Sequence, residues 1–514
     1  MNDVKDGYLL SIDAGTGSIR AIIFDLDGNQ IGVSQREWTH ISEDGVANSM
    51  GFDAVNNWSL VTSCIKDVLA QSKISGDNIL GISATSMREG IVLYDENKNE
   101  LWGVANVDAR ASAEVGELNS KYPSLEKEFY EISGQTFALG ALPRLMWVKE
   151  NRPEIYEKTA YISMISDWVL ARLSSVIATD PSNGGTSGIF SLSRRDWDAS
   201  MTTKVGIKDD IFPKVYESGE KIGGVTKEVA KITGLKEDTP VVMGGGDVQL
   251  GSAGLGVVNA GDVAILGGTF WQQIVNMSNN ETDPSMQIRI NPHVITGMSQ
   301  AEGITFFSGM VMGWFKNNFY GTESYEKMED DASKIPVGSH GIIPIFSDAM
   351  NYGRWIHASP SFLNLPLDES IDVRSAMLRS IQENTAIVSN INLERISKFT
   401  GVNPKSITFA GGASKSSLWA QILADVTGLI VRVPRVTEAT ALGAAFAAGV
   451  GAGIYESIAD VASKLVVFEK EYEPNMQNHD IYKKQAVNWE KAYKAQMKLV
   501  DENVTAPMWK APGL

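Results

Sequence analysis

The sequence predicts an α/β protein built from two related halves that close on a ligand held between them. Three observations carry that reading. Leu9 to Arg20, L-L-S-I-D-A-G-T-G-S-I-R, is an apolar run that ends in a carboxylate, turns through small residues and leaves as a second apolar run from Ile19 to Phe24. Val263 to Leu266, then Gly267-Gly268-Thr269, then Phe270 to Val275 repeats this design of strand, glycine-threonine tip and strand. Between and after the two tips, short apolar strands alternate with helical patterns. The repeat divides the chain into halves at residues 1–258 and 259–514.

At 514 residues the chain is too long for one core. Its 43% hydrophobic and 21% charged content is that of an ordinary globular protein, and its formal charge of −17 argues against nucleic acid and anionic membranes as partners. One cysteine, Cys64, excludes an internal disulfide and lies in apolar helical surroundings, which fits a buried thiol and a reducing cytoplasm. The start, M-N-D-V-K-D-G-Y, lacks a basic region and an apolar core, so neither export nor membrane insertion is predicted.

The first tip is expected to be bare backbone. Gly15 and Gly17 can take positive φ and leave room, so that N–H groups and the hydroxyls of Thr16 and Ser18 converge on an anion. A carboxylate at Asp13 repels such an anion unless a cation lies between them, which points to Mg²⁺ and a nucleoside triphosphate. A plain hairpin with a solvated Asp is the alternative. Asp27-Gly28 then turns the chain into a third antiparallel strand over Gln30 to Gln35. From Asp53, an N-cap, Trp58, Val61, Ile65, Val68 and Leu69 fall on one helical face. Leu80 to Ala84 is a buried strand running into Thr85-Ser86-Met87-Arg88-Glu89-Gly90. Arg88 can donate to hydroxyl or carbonyl oxygens and Glu89 can accept from hydroxyls, with a surface ion pair as the alternative. Ile91 to Tyr94 and Leu101 to Val104 form a hairpin leading to Asn106, Asp108 and Arg110.

Ala111 to Arg172 reads as mostly helical, with Pro143 and Pro153 near helix starts. Asp180 to Gly185 is predicted as a loop and Pro213 to Gly224 as irregular, neither with a decisive charge cluster. Pro240 to Gly246 is a buried strand dissolving into three glycines, and Asp247 follows at once. Glycines there let a ligand come against the backbone, and a carboxylate in that place suits a general base.

In the second half Leu266 stands where Asp13 stands in the first, so the second tip can hold phosphate without a metal carboxylate. Phe306 to Phe315 is an amphipathic helix with Gly309 and Gly313 on a close-approach face, and Arg374 to Phe399 is a longer helix. Ile407 to Ala410 enters Gly411-Gly412-Ala413-Ser414-Lys415-Ser416, a shelf for a planar base and ribose. Ile430 to Val433 is a strand, Glu438 to Gly449 a close-packing Ala/Gly helix, and Asp480 to Val500 a helix with an apolar docking stripe. The five histidines show no metal-ligand spacing, and no structural zinc is expected.

Taken in order, D-A-G-T-G-S-I-R, S-M-R-E-G, V-D-A-R-A, G-G-G-D, G-G-T and F-A-G-G-A resemble the FGGY carbohydrate kinases of the actin/hexokinase/Hsp70 ATPase superfamily. The likeness runs through M-I-S-D-W (Met164 to Trp168), G-G-T-F-W-Q-Q, P-I-F-S-D (Pro344 to Asp348), E-A-T-A-L-G and the closing W-K-A-P-G-L, nearly the whole chain. The resemblance implies two ribonuclease-H-like domains with ATP in the cleft. It implies that Asp13 holds Mg²⁺, chiefly through water, with Asp247 beside it, and that Gly15, Thr16, Gly17 and Ser18 form one phosphate loop and Gly268 and Thr269 the other. Gly309, Gly411, Gly412 and Ser416 would line the adenosine. Asp247 resembles the catalytic base, and Arg88, Glu89 and Asp108 resemble substrate contacts.

Relative to glycerol kinase, a Trp of the polyol site stands here as Asn106, the Gln after the catalytic Asp as Val248, a Phe after the second loop as Gln272, and a site Tyr as Leu139. These departures disfavour glycerol and favour an oxidised small polyol such as 4,5-dihydroxypentane-2,3-dione, the linear form of autoinducer-2. A pentulose kinase shares every nucleotide motif and stays open, as does an ATP-driven switch, against which Arg88-Glu89 and Asp247 argue. A dinucleotide oxidoreductase is disfavoured because no GxGxxG follows a strand. Glycerol kinase relatives are regulated by phosphotransferase-system proteins, so a carrier protein of that system, and a second copy of the chain, enter as partners by resemblance alone.

Overall fold

The computed structural model describes residues 7–348, 356–436 and 438–510. The first six residues, read above for the absence of a leader, and the last four of the closing W-K-A-P-G-L lie outside them. The opening hairpin forms as predicted: β1 (Tyr8–Ala14), β2 (Ser18–Asp25) and β3 (Gln30–Glu37) make an antiparallel meander. β4 (Ile79–Ser86) lies parallel to β1, and β5 (Lys221–Gly224) and β6 (Pro240–Gly246) complete a sheet of order β3-β2-β1-β4-β6-β5.

The second sheet repeats this plan with β7 (Val263–Gly267), β8 (Trp271–Met277), β9 (Arg289–Pro292), β10 (Ser299–Thr305), β11 (Ser406–Ala410), β12 (Ile430–Pro434) and β13 (Phe468–Tyr472), in the order β9-β10-β8-β7-β11-β12-β13. Thus β7, β8 and β10 reproduce the meander of β1, β2 and β3. β11 and β12 take the parallel places of β4 and β6, and β5 and β13 are matching antiparallel edges. The likeness seen at two tips therefore extends across both sheets.

Helix α1 (Ala54–Ser72) starts where Asp53 accepts from the Asn56 N–H and ends at Lys73 in a left-handed conformation. It buries Val61, Cys64, Ile65, Val68 and Leu69 beneath the first sheet. α2 (Asp247–Gly254) follows β6 directly. In the second half, α3 (Ser308–Phe315), α4 (Val373–Thr400), α5 (Ser417–Thr427) and α7 (Met476–Asp501) surround their sheet. α6 (Ala439–Gly451) crosses instead to the first sheet, packing on β1, β4 and β6 and on α2. Its small residues explain the crossing: a Cβ at Gly443 would overlap the Leu250 carbonyl, and one at Gly254 the Ala439 carbonyl, so the two helices touch backbone to backbone.

Three expectations need correction. Asp180 to Gly185 is no loop: Pro181–Gly184 forms one helical turn because the Asp180 carboxylate caps the Ser182 and Asn183 N–H groups. Within the irregular stretch predicted for Pro213 to Gly224, the last four residues pair with β6 as an edge strand. The helical region to Arg172 is broken by a strand, Tyr161–Met164, paired with Ile91–Tyr94 of the predicted hairpin.

Candidate active site

Strand register alone gathers the first group of residues. β6, β4 and β1 run parallel and side by side, with Gly246 and Ala14 both opposite Ser86 and Asp13 opposite Thr85. Asp13, Arg88-Glu89 and Asp247 therefore emerge at one end of one sheet.

Asp13 is buried and lies directly across the hairpin from Arg20, with which it forms an ion pair. Arg20 Nη1 also donates to Oε2 of Glu438, at the entry to α6, at 2.5 Å. Burial pushes the Asp13 carboxyl above its ordinary range, and Arg20 only partly opposes this. A carboxylate short of positive charge suits a cation arriving with a polyphosphate. Among the described residues no group of three His, Cys, Asp or Glu side chains could hold a metal. A Mg²⁺ ion arriving with a polyphosphate would be held mainly by water and phosphate oxygens, and Asp13 and Asp247 are the carboxylates that could reach it through water.

Gly15 and Gly17 do not take the positive φ predicted for them. The protein's own packing does not require them: a Cβ at Gly17 would meet nothing within 4 Å, and one at Gly15 only the Ser18 carbonyl at 3.5 Å, so the space beside the tip is open. The tip is pinned from behind by two residues not singled out in the sequence. Trp38 Nε1 donates to the Gly15 carbonyl at 2.9 Å, and His40 Nε2 lies 2.7 Å from the Thr16 carbonyl. Asn106 Nδ2 donates to Thr16 Oγ1 at 3.2 Å, which sets Asn106 against this loop. Asp108 is tied to Glu89 through Arg144, which donates to both main-chain carbonyls. Its carboxylate is fully covered, accepting from the Met50 N–H at 2.5 Å and Arg110 Nε at 2.9 Å.

The three glycines of β6 serve the protein before any ligand. A Cβ at Gly244 would overlap the Ala84 carbonyl, one at Gly245 would lie 2.6 Å from Ser182 Oγ, and one at Gly246 would crowd Gln249 and Arg88. They let β6 lie tight against β4 and so deliver Asp247 beside Arg88. The Asp247 side chain is 40% exposed, with Oδ1 3.8 Å from Arg88 Nε and accepting from the Val248 N–H at 2.8 Å. Its pKa is pushed up to about 7, first by the protein walls around it; Glu89 and Asp13 push the same way, while Arg88 and the Val248 N–H oppose. A carboxylate poised there can take a proton from a hydroxyl at neutral pH. Burial alone would raise Glu89, but the Arg289, Arg88 and Arg144 guanidiniums outweigh it and hold its carboxyl below the ordinary range.

The second group lines a cavity of about 1080 Å³ on the second half. Its lining includes Gly268 and Thr269 of the second tip, Gly309, Gly313 and Trp314 of α3, and Gln382, Gly412 and Ser416. Thr269 presents its carbonyl to the N–H groups of Gly309 and Met310, at 3.1 and 3.3 Å. A Cβ at Gly309 would overlap the Gly268 carbonyl, whereas Gly313 meets nothing and simply opens the cavity. Gly411 is not in the lining: at φ +92° it wedges against Gly267, and a Cβ would sit 2.7 Å from that carbonyl. Ser416 lines the cavity while its hydroxyl caps α5 through the Trp419 N–H at 3.1 Å. Gln272, half-buried on β8, pairs with Leu266 and Ile304 at the edge of the second tip.

Arg20, Trp38, His40, Arg289, Glu302 and Glu438 escaped the sequence reading. Arg20 left a signal, since a hairpin tipped at Gly15 to Gly17 sets it opposite Asp13. Arg289 and Glu302 left none, because their partners are chosen by contact between the halves.

The model for the FGGY family of carbohydrate kinases, N-terminal domain, matches residues 8–254, and that for the C-terminal domain residues 273–452. The chain is 52% identical to the autoinducer-2 kinase of Klebsiella pneumoniae subsp. pneumoniae over 99% of its length and 97% of that protein, and 50% identical to that of Yersinia enterocolitica over 99% and 98%. Among solved structures, the ligand-bound xylulose kinase of Lactobacillus acidophilus has a TM-score of 0.85 at 20% identity, covering 95% of this chain and 98% of that one. Plasmodium falciparum glycerol kinase with ADP has a TM-score of 0.83 at 19% identity, with the same coverage, so both share the two-domain α/β fold. Matched by both family models across most of its length, the chain belongs to the FGGY family and is an ATP-dependent carbohydrate kinase.

Proposed function

We propose that the chain transfers the γ-phosphoryl group of MgATP to the terminal hydroxyl of 4,5-dihydroxypentane-2,3-dione, the linear form of autoinducer-2, giving the 5-phosphate and ADP. The observation that carries this reading is the half-identity, over essentially the whole length, to proteins named autoinducer-2 kinase. Asp247 is the base that orients the acceptor hydroxyl and takes its proton. Arg88 and Glu89 fix the oxygens of the acceptor, with Asn106 and Gln272 at the borders of its site. Gly15 to Ser18 and Gly268-Thr269 grip the polyphosphate, and Gly309, Gly412 and Ser416 take the adenosine. Mg²⁺, held near Asp13, supplies neutralising charge to the phosphates when bound. Closure of the units 1–258 and 259–514 would exclude water from the transfer. A phosphotransferase-system carrier and a second copy of the chain are proposed partners by family resemblance.

Phosphorylation of the dione, ribulose, xylulose and glycerol, followed by coupled ADP detection, tests the reading. Preference for the dione supports it. Preference for a pentulose would keep the kinase and replace the substrate.

A further inference from the structure

Arg88 and Glu89 meet a reciprocal pair from the other half of the molecule. Arg289 on β9 and Glu302 on β10 are direct cross-strand partners. Arg88 Nη1 donates to both carboxylate oxygens of Glu302, at 2.7 and 2.8 Å, and Arg289 Nη2 lies 2.6 Å from Glu89 Oε1. Gln249 of α2 donates to the same Glu302 Oε1 at 2.7 Å. Glu302 is 1% exposed at its side chain and Arg88 5%.

Two features tie this quartet to the acceptor rather than to general bracing. Arg88 is also the guanidinium beside Asp247, so the bond to Glu302 fixes the plane and height of the group next to the base. Glu89 holds φ at +65°, with its N–H donated to Thr186 Oγ1 at 3.2 Å and its carbonyl taken by Arg144. A non-glycine residue is kept in that conformation only where its surroundings over-determine it. Its backbone is thus set by the first half and its carboxylate by Arg289 of the second.

We propose that Arg289 and Glu302 are positioning residues for the phosphoryl acceptor. They set the directions in which Glu89 and Arg88 offer their remaining lone pairs and N–H groups, so acceptor choice is made partly by the second half. The proposal rests on the reading of this cleft as the acceptor site of the kinase.

The test uses the full-length enzyme with Glu302→Gln and Arg289→Gln, and for each the acceptor KM, ATP KM, kcat and melting temperature. Either change is expected to raise acceptor KM about tenfold while ATP KM stays within about twofold, and Arg289→Lys to recover part of the loss. Selectivity between the dione and a pentulose should shift in both Gln variants. Unchanged acceptor KM in folded variants, or equal losses toward ATP and acceptor, would overturn the proposal and leave the quartet a brace between the halves. Should the Gln variants fail to fold, Glu302→Asp and Arg289→Lys are read by the same rule. If the dione is not a substrate but another acceptor is, the substrate reading fails, and the same KM comparison on that acceptor still decides the positioning role.

Discussion

The two hairpins share a strand-turn-strand plan and differ in what they do with charge. Asp13 of the first hairpin faces Arg20 across the ladder; at the same place in the second, Leu266 faces Gln272. The first tip is held from behind by the side chains of Trp38 and His40, the second by the main-chain N–H groups of α3. The contrast extends to whole halves. Every carboxyl held above its ordinary range among the described residues, namely Asp13, Glu114, Glu126, Asp167, Asp180 and Asp247, belongs to the first half. The two sheets repeat one strand plan, while the raised carboxyls are concentrated in one half.

Replacing the charged groups of one wall should therefore cost chemistry, while matched changes on the other should not. The largest effect is expected for Asp247→Asn, which keeps shape and removes the proton acceptor. Its kcat should fall by about 10² or more with ATP affinity unchanged, read by steady-state kinetics and nucleotide titration. Unchanged turnover in the folded variant would remove Asp247 from the reaction. Next comes the metal. Asp13→Asn should raise the Mg²⁺ concentration for half-maximal rate about tenfold, whereas Leu266→Asn, at the equivalent place, should leave it unaltered. Equal responses would erase the asymmetry between the walls.

A smaller contrast separates the glycines. Gly309→Ala drives a Cβ into the Gly268 carbonyl, so the second tip must shift; lower thermal stability and a several-fold higher ATP KM are expected together. Gly17→Ala meets no protein atom within 4 Å, so stability should hold while ATP KM alone rises. A fall in melting temperature for Gly17→Ala would mean that its clearance serves the fold and not a ligand.

The local chemistry was legible in the sequence wherever one segment carries it. Asp53 as an N-cap, the meander through Gln35, the turn from Gly246 into Asp247 and the tip at Gly268-Thr269 all follow from periodicity and turn residues in a single stretch. Glycines were legible as necessary but not in their reason. Gly15 and Gly17 provide space without positive φ, and Gly244 to Gly246 admit neighbouring strands and side chains, because a Cβ clash depends on what the fold brings alongside. The Glu302 and Arg289 partners, 214 and 200 residues from Arg88 and Glu89 in sequence, were illegible for the same cause. α6 shows the limit for domain reading: its Ala/Gly composition announced close packing, and only the structure shows that it packs on the first sheet.

The smallest predicted effect asks whether the acidic burden of the first half is felt in stability. Asp167 is fully buried, and its pKa is pushed up to about 8, first by burial and then by the charge of Asp180, itself pushed up to about 7 chiefly by burial. In the unfolded chain these carboxyls ionise near pH 4. The folded protein thus binds more protons than the unfolded one between about pH 4 and pH 8, so the stability these groups contribute is complete below that window and is lost as pH rises through it. The melting temperature of the wild type should fall between about pH 5 and pH 8. Asp167→Asn, which can still accept from the Met164 N–H, should flatten that fall. In the second half, the Lys334 hydrogen bond holds Asp330 below the ordinary carboxylate range, so it titrates beneath the window and Asp330→Asn should leave the slope as it is. Equal slopes in all three proteins would show that the raised carboxyls of the first half are relieved in solution, and the contrast between the halves would then reduce to Asp13 and Asp247.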